Sequence, residues 1–404
     1  MSKTTKVQFM TRRNLRHPAR LALAIFSLTL LVGGASAQTL STPAEHAILV
    51  DATTNTVLFE KSADTPFPPA SMSKMMTTYI AFEMIKRGEV TLEETTIVLE
   101  QTWRDWRLQG STMFLNAGQE VTIGDLLRGI IVQSGNDACV VLAEALAGSE
   151  DVYVGWMNEM AGELGMTGTV FKNSTGWPAE GHVVTARDMA IIAEHLIEDF
   201  PELYKMYAET SFSFGTDPQT GKPITQSNRN PILYTVDGAD GLKTGHTQES
   251  GYSLTGSAIR DGRRIIMVAS GLESTRARSR EAQRLIEYAF RNYKILKLFE
   301  AGQVIEEADV WLGAAGKVAL TVAEDVNVTM SRNQRRKMTV ILSYDGPIKA
   351  PIKKGAPLAT VRISVPDRED LVVPLVAAAA VGEKTGFGRI GAALMYLVFG
   401  SSGR

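Results

Sequence analysis

The feature that most constrains the fold is a long helical stretch enclosed between two β-rich stretches. Residues 46–50 and 56–59 are β-favouring runs around a turn, which predicts a hairpin. Residues 71–86 then favour a helix. The hydroxyl-x-x-acid signatures that begin at Thr122 and Thr185 predict the starts of further helices. This part of the chain therefore predicts a strand pair followed by a run of helices.

The pattern returns to strands after residue 240. Residues 252–257 and 264–268 flank Asp261-Gly262, a dipeptide typical of a tight hairpin turn. Residues 278–294 resume a helical pattern. Strands, helices, strands and a final helix in this order predict an α/β domain over residues 38–300, with an antiparallel sheet and a helical insertion.

The length of the chain requires more than this one domain. A chain of 404 residues exceeds one ordinary core. Residues 301–382 are rich in Val, Thr and Ile in short alternating runs with turn signals between them. They predict a separate small all-β domain.

The first 37 residues have the layout of a secretory signal peptide. They contain no acid and carry six cations, ahead of an apolar run over 21–32 and the small-residue site Ala35-Ser36-Ala37. Cleavage is expected before Gln38. The apolar run is too short to span a bilayer comfortably, which disfavours a transmembrane anchor. Residues 11–15 contain paired arginines, so general and twin-arginine export both stay open.

The C-terminal tail, residues 383–404, predicts an amphipathic helix that lies on a membrane surface. Its only charges beyond Glu383 are cations, and it is too short to cross a bilayer. A helix packed on its own domain is the alternative. The apolar positions at helical spacing are Phe387, Ile390, Leu394, Leu397 and Val398.

The charge and the cysteine content of the chain limit which ligands and cross-links are expected. Removing the six leader cations from a chain of formal charge −2 leaves a mature chain of −8, which disfavours nucleic acid. The single cysteine, Cys139, excludes an intramolecular disulfide and lies in an apolar run that favours a buried thiol. No Cys and His cluster has metal-ligand spacing, so we expect neither a metal nor a cofactor.

The segment Ser71-Met72-Ser73-Lys74 pairs a hydroxyl with an amine. Side chains three residues apart on a helix share one face, about 5–6 Å apart at Cβ, so Lys74 can take the proton of Ser71 as Ser71 attacks a carbonyl. In the first helical turn, the N–H of Ser71 is free to bind a developing oxyanion. Alone, this spacing also fits an ordinary exposed helix face.

Two later segments supply complementary groups. Ser134-Gly135-Asn136 falls on a turn between predicted helices, where Ser134 can relay a proton and Asn136 can orient an amide or the lysine. Lys243-Thr244-Gly245 precedes the second hairpin, where we expect an exposed strand edge that binds a substrate carboxylate. The N–H of His246 is a candidate second oxyanion donor. Taken alone, the Ser134 segment also fits an ordinary turn, and the Lys243 segment also fits a solvated loop.

Together, the three segments resemble the active site of low-molecular-mass penicillin-binding proteins, specifically the D-alanyl-D-alanine carboxypeptidases. The third segment continues as His246-Thr247, and residues 131–133, 137–139, 185–190 and 228–230 also fit the family pattern. Glycine in the middle of the second segment favours the carboxypeptidases, because the related β-lactamases have Ser-Asp-Asn there.

The resemblance implies a β-lactamase/transpeptidase-like fold and hydrolysis through an acyl-serine intermediate. The substrates would be peptidoglycan stem pentapeptides, which lose their terminal D-alanine, and β-lactams would be inhibitors. The enzyme would lie on the periplasmic face of the inner membrane. The implied catalytic residues are Ser71, Lys74, Ser134 and Asn136, and the implied substrate-binding residues are Lys243, Thr244, Gly245, His246, Arg229 and Arg280.

Several related functions stay open on this sequence. A β-lactamase or a D,D-endopeptidase would use the same scaffold, since a fold does not determine its reaction. A penicillin sensor or a structural wall-binding protein would acylate without turnover. A sensor is expected to carry transmembrane helices and a signalling domain as well.

Overall fold

The structure, a computed structural model, describes residues 2–6, 40–217 and 219–385. Its contacts divide it into two units. One unit is Leu40–Asn292. The other contains the strand β1 (Ser2–Lys6) and the described residues from Tyr293 onward. Residues 7–37 of the predicted leader and the predicted tail helix lie outside the described residues.

The first unit is built on a five-stranded antiparallel sheet whose order is β3-β2-β10-β9-β8. Two further two-stranded pairs lie outside the main sheet: β4 with β5, and β6 with β7. The strands are β2 (His46–Asp51), β3 (Thr56–Lys61), β4 (Thr95–Ile97), β5 (Glu120–Thr122), β6 (Ser211–Thr216), β7 (Pro223–Ser227), β8 (Ala239–Thr247), β9 (Gly251–Arg260) and β10 (Arg263–Leu272).

The described residues of this unit form eight α-helices, of which all but the last lie between β3 and β8. They are α1 (Lys74–Lys86), α2 (Glu100–Trp106), α3 (Ile123–Arg128), α4 (Asn136–Ala147), α5 (Glu150–Glu163), α6 (Ala186–Asp199), α7 (Ile232–Thr235) and α8 (Thr275–Asn292). The predicted α/β domain with an antiparallel sheet and a helical insertion is thus confirmed.

The predicted helix starts have the expected caps. The hydroxyl of Thr122 accepts the N–H of Asp125 at 3.0 Å, and that of Thr185 accepts the N–H of Asp188 at 3.0 Å. Such caps satisfy N–H groups that have no partner inside the helix. Helices α6 and α8 pack on β10, which is buried over consecutive residues, so both faces of the sheet are covered.

The second unit is β-rich, as predicted. Its large sheet has the order β1-β15-β17-β18-β13-β12-β16, and β11 pairs with β14. Because of that pairing, the unit begins at Tyr293 rather than after residue 300. Its other elements are β11 (Tyr293–Phe299), β12 (Val304–Trp311), β13 (Lys317–Thr321), β14 (Val326–Ser331), α9 (Arg332–Lys337), β15 (Thr339–Asp345), β16 (Ile348–Lys349), β17 (Pro357–Ser364) and β18 (Leu371–Ala377).

Within the described ranges, no helix has both the length and the apolar character needed to cross a bilayer.

Candidate active site

Ser71 lies on a tight turn just before α1. The 3₁₀ turn Ala70–Ser73 leads directly into the helix, and Ala70 has a positive φ of 49°. Gly176 approaches this turn so closely that a side-chain carbon on it would lie 1.8 Å from the carbonyl oxygen of Ala70. On Gly245, such a carbon would lie 3.1 Å from the carbonyl oxygen of Pro69. Two backbone segments therefore hold the turn that carries Ser71.

Lys74, the first residue of α1, is fully buried. Its Nζ atom donates to Ser71 Oγ at 3.0 Å, to Asn136 Oδ1 at 2.7 Å and to the carbonyl oxygen of Thr175 at 2.5 Å. Burial lowers the pKa of Lys74 because the charged ammonium loses its hydration. The amine can therefore exchange a proton with the serine hydroxyl, as the spacing of the motif predicts.

Ser134 faces the second lysine of the site. It adopts the left-handed backbone conformation (φ 62°) between a π-helical turn, Gly129–Gln133, and α4. Its hydroxyl oxygen accepts a hydrogen bond from Lys243 Nζ at 3.0 Å. The sequence pattern predicted an exposed Lys243, but the side chain is buried, at 3% exposure. Burial, reinforced by the nearby charges of Lys74 and Arg229, holds the pKa of Lys243 well below its usual value.

Asn136 and its neighbour Asp137 fix a loop beside the site. The Nδ2 atom of Asn136 donates to the carbonyl oxygen of Gln109 at 2.9 Å. The Asp137 carboxylate accepts the N–H of Met113 at 2.9 Å and that of Leu115 at 3.2 Å. Its pKa is raised by burial, which these hydrogen bonds oppose. Asn136 can therefore hold both Lys74 and the loop in fixed positions.

The β8 strand supplies the other predicted substrate-binding residues. It is the edge strand of its sheet, and Thr244 and Gly245 are buried on it. The exposed His246 ring stacks on Tyr252, with ring centroids 3.8 Å apart. A β-strand edge offers N–H groups to an extended ligand, so this arrangement suits a peptide.

The two predicted arginines lie in different surroundings: Arg229 is beside the site and Arg280 is not. Arg229 donates to the hydroxyl of Ser111, in the loop held by Asn136 and Asp137. Arg280 is exposed on α8, and none of the described contacts joins it to the site. Instead, Arg278 of the same helix is buried, and its guanidinium lies 5.8 Å from the centre of the Tyr252 ring. Burial lowers the pKa of Arg278 to about 10.

Comparison with known proteins decides the family. A model of the D-alanyl-D-alanine carboxypeptidase family matches residues 34–274, and one of the C-terminal domain of penicillin-binding protein 5 matches residues 293–383. The D-alanyl-D-alanine carboxypeptidase DacC of Escherichia coli K12 is 35% identical over 364 residues, covering 88% of this chain and 89% of that protein. The chain belongs to the D-alanyl-D-alanine carboxypeptidase family.

Two solved structures of this class extend the comparison. Penicillin-binding protein 5 of Haemophilus influenzae has a TM-score of 0.72 and 33% identity, covering 85% of this chain and 99% of that one. Penicillin-binding protein D2 of Listeria monocytogenes, in its ampicillin-bound form, has a TM-score of 0.55 and 27% identity, covering 63% of this chain and 99% of that one. The predicted fold class and family are therefore confirmed.

The sequence did not identify the loop at residues 173–177 as part of the site. The side-chain oxygen of Asn173 accepts the N–H groups of Thr175, Gly176 and Trp177, which turns the carbonyl oxygen of Thr175 toward Lys74. An asparagine that binds backbone N–H groups just after it is a recognised turn former, so Asn173-x-x-Gly176 was a usable signal. This turn is far from Lys74 along the chain, so the sequence did not indicate that the two are in contact.

A buried histidine supports the same turn. His182 Nε2 lies 3.1 Å from Ser73 Oγ, and Ser73 Oγ donates to the carbonyl oxygen of Ala70 at 3.2 Å. The Ser73 hydroxyl therefore lies within hydrogen-bond distance of both the His182 ring and the carbonyl oxygen of Ala70. Burial lowers the pKa of His182 to about 4, so the ring is neutral near pH 7. No cluster of three His, Cys, Asp or Glu suited to a metal occurs among the described residues.

Proposed function

We propose that this chain is a serine-type D-alanyl-D-alanine carboxypeptidase that removes the terminal D-alanine from peptidoglycan pentapeptide stems. The observation that carries the proposal is the position of the buried Lys74 amine, within hydrogen-bond distance of both Ser71 and Asn136. Family membership supports the reaction, and this contact supports the assignment of roles.

In the acylation step, Ser71 Oγ attacks the carbonyl carbon of the scissile peptide bond. Lys74, whose pKa burial lowers, accepts the hydroxyl proton as the new C–O bond forms. The carbonyl oxygen becomes an oxyanion, for which the N–H groups of Ser71 and His246 are the candidate donors. Asn136 positions the lysine and is available to the substrate amide.

In the next step the C–N bond breaks and D-alanine leaves as a neutral amine after taking a proton. Ser134 can deliver that proton, since its hydroxyl is hydrogen-bonded to Lys243. Lys74 returns to its starting state by passing the proton it took from Ser71 to Ser134, which replaces the proton that Ser134 gave to the amine. Water then attacks the ester carbonyl. Lys74 takes the proton of that water and returns it to Ser71 Oγ as the ester C–O bond breaks, which releases the shortened stem.

The carboxylate of the leaving D-alanine requires positive charge and hydroxyl donors. Lys243 and Arg278 provide the charge, and Thr244 provides a hydroxyl on the edge strand. The buried Nε atom of Arg278 has no hydrogen-bond partner among the described residues. An unpartnered buried donor suits an anionic ligand, so we assign the carboxylate to Arg278 rather than to Arg280.

We also propose that β-lactams acylate Ser71 and act as inhibitors. A β-lactam presents a strained amide and a carboxylate, the two groups that this site would engage in a peptide. The ampicillin-bound Listeria structure supports this by similarity of fold.

Incubation of the purified mature protein with a pentapeptide ending in D-Ala-D-Ala tests the function. We expect stoichiometric free D-alanine and the tetrapeptide, with a transient covalent adduct seen by mass spectrometry. Faster turnover of penicillin than of peptide would instead indicate a β-lactamase. Release of monomers from cross-linked dimers would indicate a D,D-endopeptidase, and an adduct without turnover would indicate a sensor or wall-binding role.

For location, we propose export to the periplasm and peripheral association with the inner membrane through residues 386–400. The leader pattern of residues 1–37 and the cationic, apolar tail support this. A weak surface helix would concentrate the enzyme near a substrate that is made at that membrane.

A further inference from the structure

Two tryptophans form an exposed aromatic surface beside the site. Trp106 is the last residue of α2, and Trp177 follows the turn at Gly176. Their ring centroids are 6.1 Å apart with ring planes at 89°, an edge-to-face pair. Trp177 is 41% exposed and Trp106 is partly exposed. This pair, the Trp106–Trp177 ledge, therefore presents indole surface to solvent.

The ledge lies next to the amide that contacts Lys74. A side-chain carbon placed on Gly110 would lie 2.9 Å from Asn136 Nδ2 and 2.9 Å from a ring carbon of Trp177. The indole and the amide therefore flank the same glycine, and position 110 has no side chain to cover either group. Gly110 also has a φ of +68°, which a larger residue would adopt only with strain.

The same loop that serves Lys74 holds Trp177. The N–H of Trp177 donates to Asn173 Oδ1 at 3.0 Å and to the hydroxyl of Thr175 at 3.0 Å. The carbonyl oxygen of Thr175 accepts from Lys74 Nζ. The ledge is thus attached rigidly to the catalytic cluster, as a specificity element has to be.

The polar ends of the site orient the substrate relative to the ledge. Under the proposed function, the terminal carboxylate points to Lys243 and Arg278. The acyl portion then extends from Ser71 in the other direction, past Asn136. The ledge stands on this side, where the substrate's own side chains must pass.

We propose that the Trp106–Trp177 ledge is a specificity subsite that binds an apolar side chain on the acyl portion of the substrate. The inference rests on the proposed function of the site and adds to it the chemical class that the acyl portion must carry. Apolar contact with a half-exposed indole removes water from both surfaces and is favourable in proportion to the area covered.

Two β-lactams that differ only at the acyl side provide the test. Benzylpenicillin carries an aryl side chain, and 6-aminopenicillanic acid carries none. The second-order rate constant for acylation of the purified mature protein is measured for each, and their ratio is compared between wild type, Trp177→Ala, Trp106→Ala and Trp177→Phe. Trp156→Ala is the matched control, because Trp156 lines a separate groove beside Glu83 and Glu159.

We expect the ratio to fall about tenfold in Trp177→Ala, a loss typical of one aromatic contact, and to recover in Trp177→Phe. Trp106→Ala should lower it less, and Trp156→Ala should keep the wild-type ratio. The ratio of the two acylation rate constants does not depend on the fraction of the protein that is folded. A destabilised variant can therefore still be compared with the wild type.

Three results would overturn the inference. A ratio within twofold of wild type in Trp177→Ala, with acylation retained, would reject the ledge while leaving the proposed function intact. A loss seen only with sugar-bearing muropeptides, and in neither β-lactam, would show that the ledge binds saccharide instead. Failure of the wild-type protein to be acylated by either compound would reject the proposed function itself, and the inference with it.

Discussion

Lys74 Nζ lies 2.7 Å from Oδ1 of Asn136, and this hydrogen bond joins the first residues of α1 and α4. The amino ends of both helices therefore meet at one point. A helix amino end carries a partial positive charge, so both helices disfavour an ammonium there and favour an anion. This arrangement suits a lysine that works as a neutral base next to a developing oxyanion.

Ser71 is expected to carry the covalent intermediate, because it is the hydroxyl that contacts Lys74 Nζ. Ser71→Ala should abolish the penicillin adduct, measured by mass spectrometry of the digested protein. Ser73→Ala serves as the control and should keep an adduct on the Ser71 peptide, since Ser73 bonds to His182 and not to Lys74. An adduct mapped to Ser73 or Ser134 in the wild type would contradict this assignment.

Lys74→Arg should reduce acylation by at least about a hundredfold, the usual contribution of a positioned base. The guanidinium keeps the positive charge but does not release its proton near neutral pH, so it cannot accept the proton of Ser71. The measurement is the rate of acylation by a fluorescent penicillin, with thermal unfolding followed in parallel. Acylation at a near-normal rate would show that Lys74 acts only through its charge.

Lys243→Met should weaken binding of the peptide carboxylate without loss of stability. The folded protein lowers the pKa of Lys243, so carrying its charge in the interior costs stability at neutral pH, and an apolar side chain of similar length avoids that cost. We expect a raised KM for the pentapeptide and a melting temperature equal to or above that of the wild type. A sharply lower melting temperature with a normal KM would make the residue structural.

His182 should make stability depend on pH in the acidic range. Its folded pKa of about 4 is below the ordinary 6.5, so the unfolded chain binds the proton more readily. The contribution is complete above about pH 6.5 and is lost as the pH falls toward 4, on the order of 3 kcal/mol over that window. Urea unfolding of the wild type and of His182→Gln at pH 4.5 and pH 7.5 measures the difference.

The wild type is the reference for this experiment, and His182→Gln should show a smaller change in stability than the wild type between the two pH values. Equal changes in wild type and His182→Gln would mean that protonation of His182 does not limit stability. The rate of Ser71 acylation in His182→Gln at pH 7.5 measures separately whether the turn that carries Ser71 needs His182.

The sequence predicted those parts of the site that depend on local chain geometry. Ser71 and Lys74 meet because residues three apart on a helical turn share a face, and Asn136 lies at a helix start because Ser134-Gly135 forms a turn. Thr175 was not predictable in this way. It contributes a backbone carbonyl, and its partner Lys74 is 101 residues away along the chain.

The positions that the structure gives to Arg278 and Lys243 have clear physical causes. Residues two apart on a helix are about 200° apart around its axis, so Arg278 and Arg280 cannot face the same neighbour. The composition of α8 did not reveal which of them faces the sheet. Lys243 is charged and lies on an edge strand, which favours exposure. It is buried because the turn that carries Ser71 and the Ser134 turn both pack against β8.

Residues 386–400 should hold the mature protein on the outer face of the inner membrane. An apolar helical face with only cations nearby can lie in the headgroup region, but a helix of this length cannot cross the bilayer. Truncation after Glu383 should release the protein into the soluble periplasmic fraction and leave hydrolysis of a small soluble peptide intact. The same release is expected from Leu394→Asp with Leu397→Asp, which places two charges on the apolar face, whereas Ser401→Asp, beyond that segment, should leave the protein with the membrane. A truncated protein that stays with membranes, or a full-length protein that is already soluble, would instead mean that this segment packs on its own domain.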